Sequence, residues 1–377
     1  MRGWTARVAV AGVLTTVVSG CTAGPIRRPA PTAPAGGGVV ESAGSGHPDE
    51  VRQFQVSVPA GHVQRQIEFT DAEHGYALFS DCAPEGDRTT GPGCGVVLLA
   101  TADGGRSWQE LRHPRPTAQN HQLYAEGSDL VLLAEPHGWY ASSDRGRTFK
   151  PVPGAPRVPV AYRKLYGRFQ VCCDDSAPKV GEWVGDVFRP VPVQPALPSL
   201  HMVKEVSGIP GPAVGRSLVA IGLRDGQPYV ASSPDEGRTW RSMAVPAPDE
   251  PLSRLGLEVA PDGGAWLFGH ADDPMRFPQL WNLDGRGIWQ RVWAPGPDRI
   301  TGLVPISGTM LAVIGPGGSG VISEGRYQDR GWPRDGGYLQ MLPDGVLFSA
   351  YHPDNSVWLG PGQGDERRWI KIVLDPV

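Results

Sequence analysis

Amphipathic helices are missing from this 377-residue chain: nowhere do apolar residues recur at helical spacing over three turns. What remains is a set of short β-type runs such as 129–134, 217–222, 265–269, 309–314 and 346–351, each long enough for one strand. Catalytic signatures are missing too. There is no nucleophile elbow, H-E-x-x-H, phosphate loop or Cys-x-x-Cys. Charge of one sign is scarce, with a net charge of −4 and an isoelectric point near 6.1, so no basic surface for nucleic acid is expected. No apolar run is long enough to span a bilayer as a helix.

The longest such run, Val8 to Val18, is about half the length a bilayer needs and follows Arg2 and Arg7. That is the layout of an export signal. It ends in Val18-Ser19-Gly20-Cys21, which resembles the lipobox of bacterial lipoproteins and makes residues 1–21 a signal peptide with Cys21 as the lipidated residue. Arg outnumbers Lys, a habit of high-GC bacteria that fits an actinobacterial source. Residues 22–50 are Pro, Ala, Gly and Ser with almost no large apolar side chain, and cannot bury enough surface to offset the entropy of ordering. They read as a tether holding residues 51–377 off a membrane.

Length would allow two domains in that remainder, but repetition argues for one. Thr101 to Trp108 reads T-A-D-G-G-R-S-W, Ser142 to Phe149 reads S-S-D-R-G-R-T-F, and Ser232 to Trp240 reads S-S-P-D-E-G-R-T-W. Leu283 to Trp289 keeps L-D-G-R-G-I-W. In each, an Asp (Asp103, Asp144, Asp235, Asp284) precedes an aromatic by five residues. The carboxylate can accept N–H bonds inside its own turn, Gly supplies positive φ, and the aromatic opens the next strand. These turns resemble the Asp-box, or bacterial neuraminidase repeat, of β-propellers such as sialidases, sortilin-type receptors and photosystem II assembly factors.

The aromatics Trp108, Phe149, Phe188, Trp240, Trp289, Trp332 and Trp369 recur about every 44 residues, the length of a four-stranded blade. A Gly at 75, 127, 167, 215, 263, 308 and 345 marks the turn between the first two strands of each unit. Both rulers count seven, predicting an all-β, seven-bladed propeller of four-stranded antiparallel blades. Residues 54–58 alternate like a strand ahead of the first unit, so they either add to the last blade or replace part of it.

The resemblance places the Asp-box residues at the blade rim in a structural role. Cys82 and Cys94 bracket a Gly/Pro loop at neighbouring strand ends and are expected to form a disulfide worth about 3 kcal/mol in the chain-entropy model. Cys172 and Cys173 are adjacent, and a bond between them would be strained and easily reduced. Strained disulfide or free thiols stand ahead of a soft metal site with Asp174 and Asp175.

Loops between second and third strands face away from the Asp-boxes. They carry Asp81, Glu85, Asp87, His137, Asp174, Asp175, Arg224, Asp225, His270, Asp272, Asp273, His352 and Asp354. Polar residues occupy solvated loops everywhere. The alternative is a binding rim for calcium or a cationic group. Sialidase resemblance implies an Arg triad, a Tyr–Glu pair and an Asp acid, with R-I-P before the first box. Arg65 lacks a following Ile-Pro, Arg299-Ile300 is followed by Thr301, and Arg189-Pro190 falls on a last strand. The reading is a monomeric, membrane-anchored envelope lipoprotein that binds a protein or glycan; a glycan hydrolase is the alternative.

Overall fold

The structure is a computed structural model that describes residues 47–82, 93–153, 167–172, 178–184, 187–207, 216–273, 276–334, 337–350 and 354–377. The residues expected to form a signal peptide ending at Cys21 and those expected to form a tether up to residue 46, with Glu85, Asp87, Cys173, Asp174, Asp175, Gly215 and His352, lie outside the described residues.

Consecutive antiparallel sheets follow one another along the chain, each one blade of a seven-bladed β-propeller. Blade 1 is built from Val63–Phe69, Gly75–Ser80, Cys94–Thr101 and Gln109–Leu111. Blade 2 uses Asn120–Glu126, Asp129–Glu135, Gly138–Ser142 and the two-residue Lys150–Pro151. Blades 4, 5 and 6 open with Met202–Val206, Arg254–Val259 and Gly302–Ser307, and blade 7 with Tyr338–Met341. Blade 3 shows three strands among the described residues, Phe169–Cys172, Lys179–Val184 and Val187–Pro190.

Period-2 alternation explains why blades stack. In blade 1, Ala77 and Phe79 point to one side, into a core shared with Phe348, Val357, Leu359 and Ile372 of blade 7. Tyr76 and Leu78, one residue out of phase, pack with Leu123, Leu130 and Leu132 of blade 2. The core therefore lies between blades, and each central strand is apolar on both faces. Gly75–Ser80 is buried at every position.

The ring closes by addition. Glu50–Val56 pairs in parallel with Ile370–Pro376, making a fifth strand on the outer edge of blade 7. The propeller therefore begins before residue 51, where the sequence placed its start: Asp49 already accepts the Trp369 N–H at 2.6 Å and donates its own N–H to the Trp369 carbonyl at 2.8 Å.

Two sequence rulers need correction in detail. Trp332 does not open the last strand of blade 6, which is Arg326–Asp329 and precedes it. The Glu324-Gly325 turn closes that hairpin with two positive φ angles and no Asp-box, and Trp332 instead fills the seam to blade 7, 5.6 Å from the Trp369 ring. Of the turn glycines, 127, 167, 263 and 345 have positive φ, but Gly75 and Gly308 do not. Gly75 is required by packing, since a Cβ there would lie 2.7 Å from the Phe69 ring.

Candidate functional site

The Asp-box turns join third to fourth strands, all on one end of the ring. In blade 2, Asp144 Oδ1 accepts from the Ser142 hydroxyl at 2.7 Å and the Thr148 N–H at 2.9 Å, while Oδ2 accepts from the Thr148 hydroxyl at 2.6 Å. Ser142 Oγ in turn accepts the Gly146 N–H at 2.8 Å. Asp103 repeats this with Thr101 and Ser107, and Asp235 with Ser233 and Thr239. Asp284, whose turn has Asn282 where the others have a hydroxyl residue, recruits the Arg286 and Gln290 side chains instead. Every one of these carboxylates is engaged by its own turn, so none is presented to a ligand.

The same end carries a depression of about 180 Å3 at the inner strands of three adjacent blades. The first strands of blades 7, 1 and 2 end there, and it is lined by Gln340, Met341, Glu68, Phe69, Tyr124 and Glu126 with the turns that follow. Two carboxylates stand in this lining, with no Lys, Arg or His among the described residues. Sequence reasoning missed it because the lining comes from three separate strand ends, near residues 68, 126 and 341, none carrying a motif.

At the opposite end, the expected acidic rim is only partly described. His270 ends the second strand of blade 5, and its Nδ1 is buried without a partner; burial, with Arg254 nearby, holds its imidazole below the usual range. Asp272 and Asp273 are exposed. Asp354 is committed locally, accepting from the Ser356 N–H at 3.1 Å and pairing with Lys371. Among the described residues, none of these forms a metal-ligating group with two others.

What this end does assemble lies at the seam of blades 1 and 2. Cys82 and Cys94 are joined as a disulfide with Cα atoms 4.8 Å apart. One ring nitrogen of His121, the second residue of blade 2, lies within 4.8 Å of both sulfurs. His113 follows the last strand of blade 1 and meets the His121 ring edge to face at 5.1 Å. Both imidazoles are more than nine-tenths buried; His113 Nε2 lacks a hydrogen bond, and His121 has no close one, only a looser contact with the Cys94 backbone. Burial, reinforced by His121, pushes His113 down to about 4. Burial also lowers His121, against the Cys94 backbone, which favours its charged form. His62, buried with an unpartnered Nδ1, completes the group beside Gly95. Only the cysteines carried a sequence signal; the histidines sit at strand boundaries of different strands. Cys172 is also disulfide-bonded.

The arginines that a sialidase would gather lie apart in the fold. Arg65 is at a bulge in the first strand of blade 1 and donates to the Cys82 carbonyl. Arg189 is on the outermost strand of blade 3, and Arg299 is in the connection from blade 5 to blade 6.

No protein-family model matches the sequence, and no curated protein matches it. Solved structures that resemble it are propellers. YCF48 bound to D1 peptide shares 14% identity at a TM-score of 0.39, over 85% of this chain and 96% of that one. YCF48 from Cyanidioschyzon merolae shares 14% at 0.41, over 82% and 95%. The GH74 enzyme of Niastella koreensis shares 12% at 0.31, over 81% of this chain and 46% of the enzyme. These similarities concern the shape of the fold and say nothing of a ligand.

Proposed function

We propose that this protein is a monomeric, lipid-anchored propeller of the bacterial cell envelope, held to the membrane through Cys21 and acting by binding rather than by turnover. The observation that supports a binding role is the depression at blades 7, 1 and 2, where Glu68 and Glu126 stand with Tyr124, Gln340 and Met341 and no basic side chain is among these described residues. Two carboxylates at the mouth of a low-dielectric recess attract a cationic group, and the flanking apolar atoms accept its aliphatic stem. The ligand that suits this site is an amine or guanidinium presented by an envelope protein or an amino sugar.

Calorimetric titration with an acetylated tri-lysine peptide and its tri-glutamate counterpart tests the reading. The lysine peptide is expected to bind and to weaken as salt is raised. Glu68→Gln combined with Glu126→Gln is expected to lower its affinity at least about tenfold, one charge-assisted contact being worth about 1.5–3 kcal/mol. Equal response to both peptides overturns the proposal. The anchor is tested separately: Cys21→Ser should move the protein from membranes to the medium.

A further inference from the structure

We propose that the Cys82–Cys94 disulfide conceals a redox-gated metal site: once reduced, the two thiolates and His121 bind a soft divalent cation such as zinc, with His113 beside them as fourth ligand. Three of the four ligands are already together. The two sulfurs and a His121 ring nitrogen lie within 4.8 Å of one another before any metal arrives, and four-coordinate zinc takes Cys and His ligands at about 2.0–2.3 Å. Small side-chain rotations close that gap.

Reduction leaves the two cysteines in the same relative place, because the sheet rather than the S–S bond positions them. Ser80 pairs with Val96 across the hairpin, Gly95 donates to Asp81 Oδ1 at 2.6 Å, and Cys94 and Gly95 are bridged to Ala118 and Thr117. Cys94 Sγ already sits 3.2 Å from the Ala118 carbonyl, an acceptor for the thiol proton in the reduced state.

The histidines explain why the site favours a metal over staying empty. Buried polar nitrogens without close partners are costly: His113 Nε2 is one, and His121 has no close hydrogen bond beyond its contact with the Cys94 backbone. Burial keeps both rings neutral near pH 7, the form that donates a lone pair to a metal. Thiolate and imidazole together select zinc or copper(I) over calcium or magnesium.

The chemistry balances. A dithiol reductant supplies two electrons: its thiolate attacks one cystine sulfur, the Cys82–Cys94 bond breaks, and the second reductant thiol releases the mixed disulfide. The reductant leaves as its own disulfide and the protein keeps two thiols. Binding of M2+ then releases two protons, one from each thiol.

The test uses the full chain in the Cys21→Ser form, with Cys172→Ser and Cys173→Ser to remove competing thiols. Cobalt(II) is added before and after treatment with a dithiol, the dithiol having been removed. One equivalent is expected to bind after reduction, with tetrahedral d–d and thiolate-to-cobalt absorption, and none before. His121→Gln, which leaves both thiols, should weaken zinc at least about 100-fold in a chelator competition, the upper end of what losing even an outer-shell partner costs. His113→Gln should weaken it less. The proposal is overturned if the reduced, folded protein binds no cobalt, if the spectrum survives in Cys82→Ser/Cys94→Ser, or if His121→Gln leaves affinity unchanged. Unfolding of the reduced protein, read by near-UV circular dichroism, likewise overturns it, since the site then has no frame.

Discussion

The Gln66 side chain joins blade 1 to blade 2 by imitating a strand: its Oε1 accepts the Leu123 N–H at 2.7 Å while its Nε2 donates to the Leu123 carbonyl at 3.4 Å. Leu123 lies on the innermost strand of blade 2, whose inner edge has no neighbouring strand. An unpaired N–H in this wall costs about 1–3 kcal/mol. Gln66→Ala is therefore expected to destabilise by that amount, read as a lower urea midpoint at constant slope. Gln66→Glu retains the acceptor and should recover part of the loss. A midpoint unchanged in both variants would mean water replaces the amide.

That contact was not legible in the sequence, whereas the ring was. Asp103, Asp144, Asp235 and Asp284 announce their turns because a carboxylate that closes its own turn needs hydroxyl, Gly and aromatic residues at fixed offsets. Period-2 apolar runs such as Gly75–Ser80 follow from burial on both faces. Trp332 misled as a ruler because an indole can fill a blade seam from outside a strand. The two candidate sites are opaque for one shared reason: Glu68, Glu126 and Gln340, like His62, His113 and His121, converge only through packing between blades. A residue whose role depends on the neighbouring blade leaves no local pattern.

The Asp-boxes should make stability fall at low pH. Thr148, through its hydroxyl and then its N–H, holds Asp144 at about 2, and at Asp284 the Ile288 N–H leads the groups that do the same. Burial opposes this at Asp103, but the Ser107 hydroxyl and N–H outweigh it and the carboxyl again sits at about 2. These folded-state values lie below the unfolded value near 3.8. The stabilisation is thus fully present above about pH 4 and is lost as pH falls toward 2. Asp103→Asn and Asp144→Asn should flatten the denaturation midpoint against pH across that window. Parallel curves for variant and parent would contradict it.

Arg367 acts as a clip in blade 7, donating to the Gly345 and Gly360 carbonyls at 2.8 Å each and to the Gly364 carbonyl at 3.0 Å. Burial without a carboxylate among these partners lowers its guanidinium to about 10. A planar fork is needed to reach three carbonyls together, and an ammonium lacks it. Arg367→Lys is expected to cost about 2–3 kcal/mol, comparable with losing one or two charge-assisted hydrogen bonds. A thermal midpoint matching the parent's would assign the three contacts no net worth.

The strand Glu50–Val56 should be what holds the ring shut. It extends blade 7 by its parallel pairing, and Val56 and Phe54 sink into the core shared with blade 1. Arg52, braced by Glu50 at 2.6 Å, also reaches across to the Gly104 carbonyl in the Asp-box turn of blade 1. There the fit is close, since a Cβ on Gly105 would come within 2.9 Å of Ile372 Cδ1. Deleting residues 47–56 removes the parallel pairing, the packing of Phe54 and Val56 and the Arg52 bond, and bares the outer edge of Ile370–Pro376, a template for pairing with a second chain. Burying one such apolar side chain is worth about 1.5–3 kcal/mol, so the deletion should cost several kcal/mol and produce concentration-dependent dimers in light scattering. A synthetic peptide of residues 47–58 added in trans should restore the monomer, and Arg52→Ala within that peptide should weaken the rescue. A deleted chain that stays monomeric with an unchanged melting point would show that four strands of blade 7 suffice to close the ring.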